Sequence, residues 1–122
     1  MTISKPVRLT VAIIYFLTTC VLFFLPGSAF PKEDWLDKIH FDKWVHISLF
    51  AILTLLWCWA LEIRTFRGLV ILFFIWVLYG ITVEVIQGLF IENRSFDLWD
   101  WASDSFGAFL ASWFWRGRYI KR

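Results

Sequence analysis

Glu84 and Gln87, three residues apart, and Asp97, Asp100 and Asp104, at spacings of three and four, place ionisable or amide side chains on common helix faces of an oily chain. Arg94 stands between the two sets, and Asp42, Lys43 and His46 open an earlier apolar run. Glu84, Asp100, Asp104 and His46 are candidates for acid–base work. Asp42, Lys43, Gln87, Arg94 and Asp97 are candidates for binding. Carboxylates at this density can hold protons or a divalent cation, whereas Lys43, Arg94 and a protonated His46 can take phosphate oxygens. Charged groups near hydrocarbon are costly and are retained chiefly where they serve a function.

Each residue also has a plainer role. Arg94 suits the membrane boundary, bonded to a carboxylate or a lipid phosphate, and Gln87 suits an interhelical hydrogen bond. His46 can be a satisfied polar group, and Asp42 and Lys43 can solvate the start of a helix. Asp97 and Asp100 fall at a helix N-terminus, where the dipole favours negative charge. Taken together, Glu84, Asp97, Asp100 and Asp104 outnumber the nearby Lys43 and Arg94. A packed cluster of this kind must bind a cation, hold protons or stay wet.

The elements that position these residues follow from composition. The chain is 60% hydrophobic, has a mean hydropathy of +0.68, and carries 14 Phe and 9 Trp in 122 residues. That predicts one domain, an all-α integral membrane protein. Four apolar stretches, about 7–25, 44–61, 69–90 and 98–115, each approach the ~20 residues that span a bilayer as helix. Pro26, Gly27 and Pro31, then Arg64 to Gly68, then Ile91 to Asp97 supply the breakers and charges between them. No internal repeat or low-complexity tract interrupts this pattern. The small residues Gly80 and Gly88 flank Glu84, and Ser103, Gly107 and Ala111 continue the Asp100 face, which lets membrane helices approach closely.

Lys5, Arg8, Arg64, Arg67, Arg116, Arg118, Lys121 and Arg122 share one side of this topology, so both termini are expected to be cytoplasmic. The first run after Lys5 and Arg8 also has features of a signal peptide, but its length and Pro26 favour a retained helix. The basic tail reads as a topological anchor, and nothing calls for nucleic acid. Up-and-down helices put His46, Glu84, Gln87, Asp100 and Asp104 within the outer ~10 Å of the membrane. The same rise separates Cys20 from Cys58 by ~10 Å or more in depth, so no disulfide is expected between them. No Cys-x-x-Cys and no Ser or Cys paired to a base supports thiol, haem or triad chemistry. Residues 26–43 form the outer loop. There Trp35, Leu36, Ile39 and Lys43 recur at near-helical spacing, which suits either a short helix lying on the outer leaflet or a loop anchored by Trp35.

Asp42-Lys43-Trp44-Val45-His46-Ile47-Ser48-Leu49-Phe50 resembles the D-K-x-x-H-x-x-x-F segment of VanZ-like membrane proteins. Glu84 and Gln87, followed by Arg94, Ser95, Asp97, Asp100 and Gly107, are similar to that family's E-x-x-Q, R-x-x-x-x-x-D and late glycine. The resemblance runs over nearly the whole chain. It implies a four- or five-helix protein of the bacterial cytoplasmic membrane, with a role in resistance to the glycopeptide teicoplanin. Where the family commonly has Asn before the glycine, this chain has Asp104, which adds a charge or a proton.

Two functions are open at this stage. One is an outward-facing site that binds or modifies an anionic lipid or lipid-linked envelope component, with a divalent cation as one way for the carboxylates to act; with no nucleophile in sight, hydrolysis would need activated water. The other is a non-enzymatic scaffold or accessory subunit whose polar cluster fixes helix packing. A transporter fits less well, since four short helices leave little room for a path and Glu62 lies at the inner boundary.

Overall fold

The computed structural model describes residues 3–26, 41–92, 94 and 96–120. Among these residues the chain is all-helical: α1 Lys5–Phe23, α2 Phe41–Leu61, α3 Phe66–Phe90 and α4 Leu98–Tyr119. The outer-loop reading of Trp35, Leu36 and Ile39 lies outside the described residues. Helix α2 begins three residues before the expected boundary and α4 ends four after it, because boundaries drawn on apolar runs omit polar helical turns such as Asp42-Lys43 and Arg116 to Tyr119.

Local chemistry sets the helix ends. Pro6 stands in the first turn of α1, where its missing N–H is not needed. Helix α2 stops at Glu62, a non-glycine residue at φ 53°, with Glu62 N–H bonded to Trp59 O at 3.3 Å and Ile63 N–H to Cys58 O at 3.0 Å. This left-handed cap normally takes glycine. Here the Glu62 side chain pairs with the buried Arg8 of α1, which helps to hold it in place. Thr65 caps α3 by accepting from Gly68 N at 3.1 Å, and Asp97 caps α4 by accepting from Trp99 N at 2.9 Å. Arg116 and Arg118 complement the dipole in the last turn of α4.

Helix α2 packs most extensively on α4, α4 also lies on α3, and α1 closes against α2. The core runs the length of the bundle through Phe50, Leu53, Cys58, Leu72, Trp76, Val83, Ala108 and Trp115. Three aromatic donors reach backbone carbonyls across the bundle: Tyr15 Oη–H donates to Leu49 O at 2.9 Å, Trp101 Nε1–H to Val77 O at 3.0 Å and Trp115 Nε1–H to Ile63 O at 2.9 Å. Cys20 and Cys58 are both free thiols.

Much of the outer surface is apolar. Ile14, Val21, Phe74, Leu78, Phe109 and Trp113 are all exposed, on α1, α3 and α4. Helices α1, α2 over Asp42–Leu61, and α3 are long and apolar enough to cross a membrane. At ~1.5 Å per residue, the 19 and 20 residues of the first two stretches match the ~30 Å hydrocarbon layer, and the 25 residues of α3 exceed it. The chain is thus a multi-pass membrane protein by length and composition. Helix α4, with Asp100, Asp104, Arg116 and Arg118 in its 22 residues, is more polar than the other three.

Candidate functional site

The close approach of α2 and α4 builds the site. A Cβ on Gly107 would stand 2.2 Å from Ile47 O, so only glycine lets α4 lie directly on the α2 backbone. That contact sets His46, immediately before Ile47, opposite Asp104, one turn before Gly107. His46 Nδ1 and Asp104 Oδ1 are 2.6 Å apart, with both side chains buried. An ionised Asp104 can only accept, so it selects the tautomer with hydrogen on Nδ1. Helix α3 brings Glu84 to the same place: Glu84 is fully buried, and its Oε1 accepts from Asp97 N–H at 3.3 Å. Gly80, one turn earlier, leaves room for Asp104, whose Oδ2 would lie 3.1 Å from a Cβ at that position.

Two acidic groups stack along this seam. The outer one gathers Asp42, Asp97 and Asp100 around Lys43, whose Nζ donates to them at 2.6, 2.8 and 2.6 Å. All three ammonium hydrogens are thereby engaged by carboxylates. The inner group is His46, Glu84 and Asp104, which can each turn a ligand atom into a cluster no more than 4.8 Å across. Asp100 joins the layers, with Oδ1 on Lys43 and Oδ2 3.7 Å from His46 Nε2. Glu84 Oε2 and Asp104 Oδ2 are buried and lack a hydrogen-bond partner among the described residues.

The sequence candidates therefore separate. His46, Glu84, Asp100, Asp104, Lys43, Asp97 and Asp42 come together as one seam. Gln87 and Arg94 instead serve the C-terminus of α1. Gln87 Nε2 donates to Phe23 O at 2.7 Å, and Arg94 donates to Leu25 O and Leu22 O, each at 3.2 Å. These are among the carbonyls that a helix end leaves unsatisfied. Burial lowers the Arg94 pKa, while the charges of Asp100 and Glu84 raise it, and the net direction is down. Burial raises the Asp97 carboxyl, but its bonds from Lys43 and Trp99 N–H outweigh that and hold it below the ordinary carboxylate value.

Sequence reasoning placed no site residue on α1, yet Phe23 packs its ring 5.3 Å from the His46 ring and bonds Gln87 through its carbonyl. The signal was present only as Pro26, which ends α1 and frees those carbonyls. At the opposite end, an apolar groove of about 330 Å³, lined by Phe66, Phe73, Phe109, Trp113 and Arg116 among others, lies between the start of α3 and the end of α4.

The fold and site together define a membrane-embedded helical bundle with a buried imidazole–carboxylate cluster at one end. Comparison with known proteins finds no matching family model, no matching curated protein and no matching solved structure.

Proposed function

We propose that this chain is a VanZ-like protein of the bacterial cell envelope, with four membrane-crossing helices and both termini in the cytoplasm. In this reading its outward-facing seam binds or modifies an anionic lipid or lipid-linked envelope component, and glycopeptide resistance is the associated phenotype. The motif Asp42-Lys43-x-x-His46, with Glu84, Gln87, Arg94 and Asp100, is what supports the family reading. Inclusion of α4 as a fourth span is supported by its exposed Phe106, Phe109, Leu110, Trp113 and Phe114, which water would not tolerate as a group.

The single observation that carries a ligand site is the pair of buried carboxylate oxygens, Glu84 Oε2 and Asp104 Oδ2, left without partners in an otherwise well-bonded seam. A lipid-borne ligand fits the surroundings. Trp44, Leu89, Phe90, Leu98 and Trp99 are exposed at the same end, so a molecule reaching Asp42 and Asp97 crosses an apolar rim. Its polar head would meet the Lys43–Asp97–Asp100 layer first, with His46 and Asp104 behind it as proton donor and acceptor.

Thermal unfolding in neutral detergent tests this, with phosphatidylglycerol, a polyprenyl phosphate or phosphatidylcholine added. A ligand that binds only the folded state at roughly a hundred times its dissociation constant stabilises by about 2.7 kcal/mol. The expected result is stabilisation by an anionic headgroup that disappears in a folded Asp100→Asn variant. No headgroup-specific shift in the wild type would sink the reading.

A packing role is favoured by a different observation: Gln87 bonds Phe23 O, Arg94 bonds Leu22 O and Leu25 O at the end of α1, and Lys43 is enclosed by acids. On this second reading the protein is a scaffold or accessory subunit. Asp100→Asn then lowers stability with no ligand effect at all.

A further inference from the structure

We infer that His46, Glu84 and Asp104 form a binding site for one divalent transition-metal ion of the Zn²⁺ type. The two acidic groups of the seam differ in a way that points to a missing cation. Asp42, Asp97 and Asp100 enclose the Lys43 ammonium, so the outer group contains its own counter-ion. The inner group has no lysine or arginine among the described residues, only the His46 imidazole paired with Asp104. Glu84 and Asp104 are fully buried, His46 is 6% exposed, and one oxygen of each carboxylate is unpartnered among the described residues. With both carboxylates ionised and the imidazole neutral, the state in which all three can ligate a metal, the group carries a charge of −2, which a single divalent cation cancels. Leaving that charge uncompensated in an apolar bundle is strongly unfavourable.

Geometry and donor type agree. Ligand atoms from the three residues lie within 4.8 Å of one another. Around one zinc with bonds near 2.0–2.1 Å, tetrahedral ligand atoms sit about 3.3 Å apart, so small side-chain adjustments close the shell. An imidazole among the donors favours Zn²⁺ and its neighbours over Mg²⁺ or Ca²⁺, which take oxygen alone. The ligands come from three different helices, α2, α3 and α4, each held from outside the cluster: Glu84 by Asp97 N–H, Asp104 against Gly80, His46 against the Phe23 ring. Asp100, 13% exposed, is the step between the surface and the inner group. Three protein ligands leave a fourth position, which is the arrangement of zinc sites that act on a substrate.

This inference rests on the proposed reading of the seam as a ligand site and supplies what that reading lacks. The seam carries an excess of acids, and a bound dication gives an anionic headgroup a positive centre to approach.

The test uses the full chain in detergent, stripped with chelator, reloaded with Zn²⁺ and desalted, with metal content read by mass spectrometry. Co²⁺ loading gives an independent visible spectrum. About one zinc per chain is expected, with affinity falling ~10-fold or more in Glu84→Gln and in His46→Asn, and unchanged in Gly117→Ala, where an added Cβ meets nothing within 4 Å. Because Glu84→Gln could perturb folding, each variant is first checked for a wild-type helical spectrum, and the wild-type stoichiometry stands by itself. Folded wild type that retains less than about 0.1 zinc per chain and gives no cobalt band overturns the inference, as does binding that survives both ligand substitutions. Zinc binding without any headgroup shift would support the metal site and refute the lipid reading. An equal headgroup shift in chelator-stripped and zinc-treated protein, with no zinc retained after desalting, would do the reverse.

Discussion

Gly107→Ala adds one methyl group at the tightest point of the bundle. Its Cβ would lie 2.2 Å from Ile47 O and 3.0 Å from both the carbonyl carbon and Cα of Ile47. All three are backbone atoms, so no rotamer change relieves the clash. Relaxation to an ordinary C···O contact of about 3.3 Å requires α2 and α4 to part by about 1 Å. That displacement falls on the adjacent His46–Asp104 bond. Its 2.6 Å length would stretch to about 3.6 Å, beyond hydrogen-bond range. Overpacking costs about 1–3 kcal/mol and loss of a charge-assisted bond about 1.5–3 kcal/mol, so a destabilisation of about 2.5–6 kcal/mol is expected. Denaturant unfolding in micelles, followed by tryptophan fluorescence, measures it, and nitrogen NMR of the imidazoles reports whether His46 keeps its carboxylate. Gly117→Ala in the same helix is the control. A Cβ there meets nothing within 4 Å, so it should be neutral or stabilise by up to ~1 kcal/mol. A Gly107→Ala protein with wild-type stability and an unchanged His46 signal would show that α2 and α4 do not meet as described, and the seam would fall with them.

Gln87→Leu removes the donor to Phe23 O while preserving volume, leaving a buried carbonyl at the end of α1. A loss of about 1–3 kcal/mol is expected in the same unfolding assay, without change in zinc content. Asp97 supplies a pH dependence. Its folded pKa lies below the ordinary value of 3.8, so its stabilisation is present above that value and is lost as pH falls through the lower folded one. Relative to wild type, Asp97→Asn should therefore be less stable at neutral pH, and the difference should narrow only below about pH 4. A gap that already closes between pH 5 and 7 would refute the Lys43 and Trp99 contacts as its cause.

Much of this protein was legible in one dimension. Apolar runs of bilayer length predicted the helices, because a segment in hydrocarbon must satisfy its backbone internally. Pro26, Arg64 to Gly68 and Asp97 marked their ends through hydrogen-bonding chemistry local to a few residues. The spacing of Glu84, Asp97, Asp100 and Asp104, with His46 at the matching depth, predicted a polar cluster. Gly80 and Gly107 stand where neighbouring helices come close, as their spacing suggested, whereas Gly88 lies against Phe96 before the start of α4. Helix periodicity gives which residues share a face and roughly how deep they lie, and that was enough to nominate the seam.

Periodicity does not say which face meets which partner. Lys43 and Arg94 look interchangeable as cations in the sequence, yet Lys43 is enclosed by Asp42, Asp97 and Asp100 while Arg94 donates to the carbonyls of Leu22 and Leu25. Gln87 shares a face with Glu84, yet it bonds α1 and not the acids. The division of the carboxylates into an outer group around Lys43 and an inner group beside His46 was likewise invisible. It depends on the azimuth of α2 and α4 about their axes, set by the contact of Gly107 with Ile47. Composition and helix period determined that this is a membrane bundle with acids at one end. Only the packing of four helices decided which acids meet the Lys43 ammonium and which meet the His46 imidazole, because charge compensation acts over a few ångströms and most of these partners are more than fifty positions apart.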